Sequence, residues 1–385
     1  MSTANLKLKL ALLTNMIAPY RLPIYSVLAE EFELLILHGG KEANRESWSD
    51  SEEPLTGAEV VRAWGWQIPH KRKVKGRIFE EKFLHITPGF FWHLLRFRPD
   101  AIISNEMGFR SAVALAYATL FRKRIWIWWG GTLHTERHID FVRRLIRKIF
   151  RLLGDRWITY GQSSTDYLLS LGVKRDRIFQ SQNSVDEKQF SGNAEPAWVL
   201  QPRPVVLHVG RLIERKGIRR LLDAAAILQR KGYAFSLLLV GDGPDRRTLE
   251  EQVLAIGLKN VHFQPAQPQE KMLSVYRSAD LVIFPTLHDI WGLVANEAIL
   301  AGVPILCSEY AGCATELFAP ENLFFPDNLD DLSQKLGAAI RNGLPMPDPG
   351  RLKTTEQLGR ELVQEVNNFV LSSRSGGQER PETVT

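Results

Sequence analysis

"DLVIFPTLHDIWGLVANEAILAGVPILCS", residues 280–308, is the stretch on which the fold turns. Residues 280–285 form a short, branched, apolar run and read as a buried strand. The region from Asp289 to Gly302 reads as a helix, and residues 303–308 read as a second strand. Strand, helix and strand in so short a span form a crossover unit, which requires the two strands to lie parallel. Working upstream, the alternation continues. "PVVLHVG" (204–210), "FSLLLVG" (235–241) and "VHFQ" (261–264) are strand-like, separated by helical patterns at 219–232, 245–257 and 269–279. The first half repeats it with strand-like runs at 8–14, 33–39, 100–105, 124–130 and 156–161. Between the halves, periodicity disappears and Pro, Gly and Asn collect. The reading is therefore α/β, with two doubly wound domains facing across a cleft. The division is 1–185, a linker at 186–203, a second domain at 204–350, a C-terminal helix at 351–371 and a disordered tail at 372–385.

A chain of 385 residues exceeds one ordinary core, which agrees with two domains. Two cysteines, Cys307 and Cys313, cannot build a disulfide framework, and no metal-type Cys/His spacing surrounds them. A reducing, cytoplasmic setting is expected. The basic, apolar start reads as a first buried strand instead of a leader, and no apolar run approaches the ~20 residues of a membrane span. Charge is uneven. Residues 1–200 carry 29 Lys/Arg against 21 Asp/Glu, and the remainder 20 against 22. The excess gathers in "KRKVKGR" (71–77) and at 137–156. In the latter, Phe141, Leu145, Ile149 and Leu152 recur at helical spacing among Arg143, Arg144, Arg147, Lys148 and Arg151. Such a helix fits either an anionic membrane surface, peripheral at the inner face of the cytoplasmic membrane, or a solvated face of a two-sided helix. Nucleic acid is disfavoured, because the aromatics of "WIWWGG" (126–131) cluster together and do not interleave with the basic run.

In open α/β sheets, ligands sit beyond the carboxyl ends of the strands, so those ends carry the chemistry. After 204–209 comes "GRLIERKG" (210–217). Gly210 turns the chain, and Arg211 and Lys216 bring two cations suited to a diphosphate. The glycine follows the lysine, unlike a nucleoside-triphosphatase loop. After 235–240 comes "GDGPDRR" (241–247), where Gly241 and Gly243 form a turn but Arg246 replaces the third glycine of a dinucleotide fingerprint. Past 280–285, Trp291, Gly292 and Leu293 open a helix whose free N–H groups can meet a phosphate. Glu297, one turn on, is suited to ribose hydroxyls, and Asp289 to hydroxyls of a second, transferred group. Two carboxylates beside an anion site make sense when both bind hydroxyls, which points to a nucleotide sugar.

"VGRLIERKG", "LLLVGDGP" and "DIWGLVANEAILAGVPIL", in this order, resemble the C-terminal domain of the family-4 retaining glycosyltransferases, and Ala18-Pro19-Tyr20-Arg21 after the first strand resembles members acting in bacterial surface-polysaccharide assembly. The likeness is specific over about 200–320. Over 1–185 it rests on α/β organisation and on "NSVD" (183–186). The resemblance implies the GT-B fold, with two Rossmann-like domains, and a retaining, metal-independent transfer to a glycan or lipid-linked acceptor. It assigns Arg211 and Lys216 to the leaving diphosphate, Glu297 to the ribose, the backbone of Trp291, Gly292 and Leu293 to phosphate, and Asp289 to the donor sugar. No cofactor is implied, since the nucleotide-sugar donor is a substrate whose base stays open. The family's Glu-x7-Glu is Asp289-x7-Glu297 here, one methylene shorter at the first acid. The usual glycine-rich turn after the first strand is "NMIAPYRLPIY" (15–25), where Arg21 serves phosphate, acceptor or only the following helix.

His134, after "WWGG", stands at a predicted strand end as a sugar- or acceptor-contacting residue. With His138 it lacks a third metal ligand, so no metal is expected. Trp126, Trp128 and Trp129 read as core. A nucleotide-sugar epimerase of the same fold and a catalytically inactive partner subunit are the rival functions.

Overall fold

The computed structural model describes residues 7–40, 55–74 and 77–375. The first sheet is built from β1 (Lys9–Thr14), β2 (Glu33–His38), β3 (Ala58–Arg62), β6 (Ala101–Asn105), β7 (Arg124–Trp129), β8 (Arg156–Thr159) and β9 (Ile178–Gln180), with a separate hairpin, β4 (Trp66–Val74) and β5 (Arg77–Ile86), inserted after β3. The seven strands are all parallel, in the order β3-β2-β1-β6-β7-β8-β9. The second sheet uses β10 (Val205–Val209), β11 (Ser236–Val240), β12 (Val261–Gln264), β13 (Leu281–Phe284), β14 (Ile305–Ser308) and β15 (Leu323–Phe324), in the parallel order β12-β11-β10-β13-β14-β15. Helices cover both faces of each sheet, so the central strands are buried on both sides. This explains why their sequences are unbroken apolar runs and do not alternate. Leu10 to Leu13 and Val205 to Leu207 are fully buried.

In each sheet, strand order reverses beside the first strand, between β1 and β6 and again between β10 and β13. These reversals open a crevice at the carboxyl ends of the paired strands. In the second domain that crevice lies between Gly210, after β10, and Pro285, after β13. The architecture is a two-domain α/β GT-B fold.

Several features depart from the reading of the sequence. The hairpin of β4 and β5 belongs to neither sheet, and its antiparallel register shifts between Arg72 and Lys73. The basic stretch 71–77 falls on this hairpin, and residues 75–76 of it lie outside the described residues. The C-terminal helix, Thr355–Ser375, starts later and runs further than expected. It covers residues 372–375 of the supposed tail, and the rest of the tail lies outside the described residues. Nor does this helix stay with the domain that precedes it. Leu362, Val363, Val366 and Val370 join the core of the first domain with Leu10, Tyr25 and Trp126. The Trp126 indole and Arg156 both bond Glu365, at 3.1 Å and 3.3 Å.

The basic helix is real, spanning Phe141–Leu153, with Asp140 capping it by accepting from the Arg143 N–H at 2.8 Å. Its orientation is the reverse of an ordinary amphipathic surface helix. It docks through Arg147 and Phe150, whereas Phe141, Val142, Leu145, Ile149, Leu152 and Leu153 face solvent. Arg147 is held in place by Glu136 at 3.1 Å, by the Met107 carbonyl at 3.0 Å and by the Trp129 ring at 4.3 Å. It is therefore structural, unlike its neighbours Arg143 and Arg144. No described helix is long and apolar enough to cross a membrane.

Candidate active site

The loop after β10 and the loop after β13 meet. A 3-10 turn, Glu214–Lys216, carries Lys216 back toward the crevice, and the Lys216 ammonium donates to Asp289 Oδ2 at 2.7 Å. Arg215 reaches the same oxygen at 3.5 Å and donates to the His288 carbonyl at 2.7 Å. Asp289 is nearly buried. Burial alone would raise its pKa, but the charges of Lys216 and Arg215, with the lysine hydrogen bond, outweigh it and hold the carboxyl at about 2. The ion pair thus keeps Asp289 ionised at any working pH.

The helix that follows is Leu293–Leu300, shorter than the Asp289–Gly302 span read from sequence. Asp289 is extended chain, bridged to Ala311. Gly292 is the N-cap, at φ 106°. A β-carbon there would stand 2.4 Å from the Phe284 ring. The glycine is thus required by β13 packing and by a left-handed backbone. Trp291 also differs from expectation. Its side chain is core and donates to Asn296 Oδ1 at 2.9 Å, while its N–H leans toward Asp289 Oδ1 at 3.5 Å. Leu293 and Val294 stand in the first turn, where backbone N–H groups have no intrahelical partner.

Glu297 lies on the next turn, half-buried, where it accepts from the Tyr276 hydroxyl at 2.6 Å. Burial dominates here and pushes its pKa to about 7, against the smaller pull of Tyr276 and Lys216. Gly241 closes the floor of the crevice, since a β-carbon on it would meet the Gly210 carbonyl at 1.9 Å. A β-carbon on Gly243 would likewise meet the Leu212 carbonyl, at 2.3 Å. Arg211 is half-buried directly after Gly210. Lys216, Asp289, Arg215 and Glu297 are therefore one electrostatic unit. Among the described residues no cluster of His, Cys, Asp or Glu could hold a metal ion.

The first domain closes the crevice from the other side. His134, in a turn and not a helix, donates from Nε2 to the Leu287 carbonyl at 2.9 Å and stacks on Tyr310 at 3.7 Å. Arg137 donates to its Nδ1 at 2.7 Å. Both ring nitrogens are spent on protein, one of them across the cleft, and burial keeps the ring below the ordinary imidazole range. Phe79 of the hairpin meets His288 edge-on at 5.8 Å. Arg21 is buried under Trp128, at 4.1 Å, and donates to the Tyr160 hydroxyl at 3.0 Å and Asn183 Oδ1 at 3.2 Å. The Asn183 carbonyl in turn accepts from Asn296 at 3.1 Å. Arg21 therefore bonds residues beside the interdomain seam, and it also lies within electrostatic reach of Tyr25 on the following helix. Sequence reasoning missed Arg215, Tyr276 and the hairpin. Arg215 was next to a residue already singled out, but Tyr276 carries no local signal because it arrives from a different helix.

Comparison with known proteins adds a family to this geometry. The family "Glycosyl transferases group 1" matches residues 195–357. A D-inositol 3-phosphate glycosyltransferase of Nocardia farcinica is 39% identical over 176 residues, which is 42% of this chain and 39% of that protein. The chain thus spans well under two thirds of that relative. Among solved structures, a sucrose-phosphate synthase from Thermosynechococcus elongatus superposes with a TM-score of 0.68 at 20% identity, covering 96% of this chain and 98% of the other. HepE of Anabaena, solved with UDP and glucose, gives 0.64 at 16% identity, over 96% and 99%. At such identities the structural likeness speaks for the fold.

Proposed function

We propose that this chain, whose residues 195–357 match the group 1 glycosyl transferases, carries out a retaining, metal-independent transfer of a sugar from a nucleoside diphosphate donor to a glycan or lipid-linked acceptor. The observation that carries it is the convergence of Lys216, Arg215 and Asp289 within 2.7–3.5 Å at the head of the helix that bears Glu297. Lys216, Arg215 and Arg211 take the diphosphate, with the N–H groups of Leu293 and Val294. Glu297 accepts from the ribose hydroxyls, and Asp289 from hydroxyls of the transferred sugar. The bond broken joins sugar carbon to phosphate oxygen. Negative charge grows on the phosphate as it leaves, and fixed cations in a partly buried site lower that barrier. UDP bound to HepE makes uridine the base to try first.

The acceptor side works at an anionic membrane surface, as in glycolipid or surface-polysaccharide assembly. In support, the helix Phe141–Leu153 exposes a row of large apolar side chains flanked by Arg144 and Lys148, a combination that suits the boundary of charged headgroups and acyl chains. Incubation with UDP-, GDP-, ADP- and dTDP-sugars and lipid-linked or free glycan acceptors, in EDTA, tests the reaction. Nucleoside diphosphate release with an axial anomeric product from an axial donor is expected. Conversion of free nucleotide sugar without acceptor would replace the reading by an epimerase. Replacing Arg144 and Lys148 by Glu should weaken sedimentation with anionic vesicles by roughly fivefold per charge, taking about 1 kcal/mol for each. Unchanged sedimentation would return this helix to a merely solvated role.

A further inference from the structure

His208 belongs to no motif, yet it stands inside the proposed donor site. It is the fourth residue of β10, two before Gly210, and is fully buried. Its Nδ1 lies 3.4 Å from the Ile283 carbonyl oxygen. A carbonyl only accepts, so Nδ1 carries the hydrogen and Nε2 the lone pair. That Nε2 is buried without a hydrogen-bond partner among the described residues. Such an orphan acceptor is a cost that a leucine at the same position would avoid.

The ring points at the loop. A β-carbon built on Gly210 would stand 3.6 Å from His208 Nε2 and 3.9 Å from Lys216 Cε. Nε2 and the carbon bearing the lysine ammonium therefore border the same small volume. One N–H of the ammonium goes to Asp289, and an ammonium has three.

We propose that His208 is a positioning residue for Lys216. When the ammonium turns to the donor diphosphate, Nε2 accepts one of its N–H bonds and fixes the direction of another toward a phosphate oxygen. Asp289 is then released to the sugar hydroxyls. This role rests on the donor reading above. The arrangement needs a neutral imidazole. Burial first, and then the charge of Lys216, hold its pKa at about 4. The charged groups bearing on this pair are Lys216 itself, Asp289 and Arg215 in contact with it, and Glu297 from the following helix.

The test is a double-substitution cycle on the full chain, with His208→Leu, His208→Gln, Lys216→Ala and the His208→Leu/Lys216→Ala pair. Each is read by UDP affinity, by kcat and donor KM, and by histidine nitrogen NMR. His208→Leu should lower kcat about tenfold with donor KM changed less than about threefold, and His208→Gln, which keeps an acceptor, should recover most of the loss. In the Lys216→Ala background His208→Leu should add less than about twofold, because both act through one ammonium. UDP should move the His208 Nε2 resonance in the unsubstituted protein and leave it still in Lys216→Ala. That NMR comparison stands even if His208→Leu does not fold. Independent, multiplicative losses, or an Nε2 resonance indifferent to bound UDP, would overturn the role while leaving the donor site intact. Failure of the unsubstituted protein to bind any of UDP, GDP, ADP or dTDP would overturn the donor reading and this role with it.

Discussion

Asp289 and Glu297 bracket one short stretch of chain, the loop after β13 and the first turns of the helix it enters. The loop end is crowded with cations, and Lys216 and Arg215 hold Asp289 at about 2 in spite of burial. At the helix end the hydrogen bond from the Tyr276 phenol and the charge of Lys216 are outweighed by burial, which carries Glu297 to about 7. Two acids in one crevice are therefore not interchangeable. The first is an anion that holds a lysine in place. The second changes charge near neutrality.

Removing the loop acid should have the largest effect. Asp289→Ala leaves two half-buried cations, Lys216 and Arg215, without their carboxylate, and breaking such a pair costs up to about 3 kcal/mol. Urea unfolding should show that loss together with a fall of about a hundredfold or more in kcat. A variant of undiminished stability would mean that the pair is not formed in solution.

The pH dependence of stability comes next. Because the folded pKa of Asp289 is depressed from 3.8 to about 2, its contribution is present above pH 4 and is lost as pH falls through 2. The shift corresponds to about 2 kcal/mol, which should separate the unfolding midpoints of the unsubstituted protein and Asp289→Asn at pH 5 and bring them together near pH 2.

Glu297 runs the other way and more gently. Its folded pKa is raised, so its contribution is present below 4.5 and disappears as pH rises through 7. If only its ionised form accepts the ribose hydroxyls, UDP should bind about tenfold more tightly at pH 8 than at pH 6, beyond any slope kept by Glu297→Gln. Parallel slopes in the two proteins would remove Glu297 from the ribose.

Most of the second domain was legible in the sequence because doubly buried parallel strands announce themselves as apolar runs, as "VVLHV" and "LVIF" do, and because glycines mark their ends. The Lys216 and Asp289 pair was half legible. Both residues were singled out, but assigned to opposite ends of a donor, and only the fold brings them to 2.7 Å. Local pattern could not give the partners of Glu297 or Arg21, since Tyr276, Tyr160 and Asn183 arrive from distant elements. The helix Phe141–Leu153 teaches a related lesson. Its periodicity was correct, but periodicity does not say which stripe is buried, and here Arg147 faces the core while Phe141 faces water. The β4 and β5 hairpin escaped notice because its alternation is masked by charge in both strands.

The most direct measurement is a thermal-shift panel of UDP, GDP, ADP, CMP and dTDP, each with magnesium and with EDTA. Selective stabilisation by one nucleoside diphosphate, equal in EDTA and lost in Glu297→Ala, is the predicted result. No stabilisation by any of them would contradict the assignment of the crevice between Gly210 and Glu297 to a nucleotide sugar.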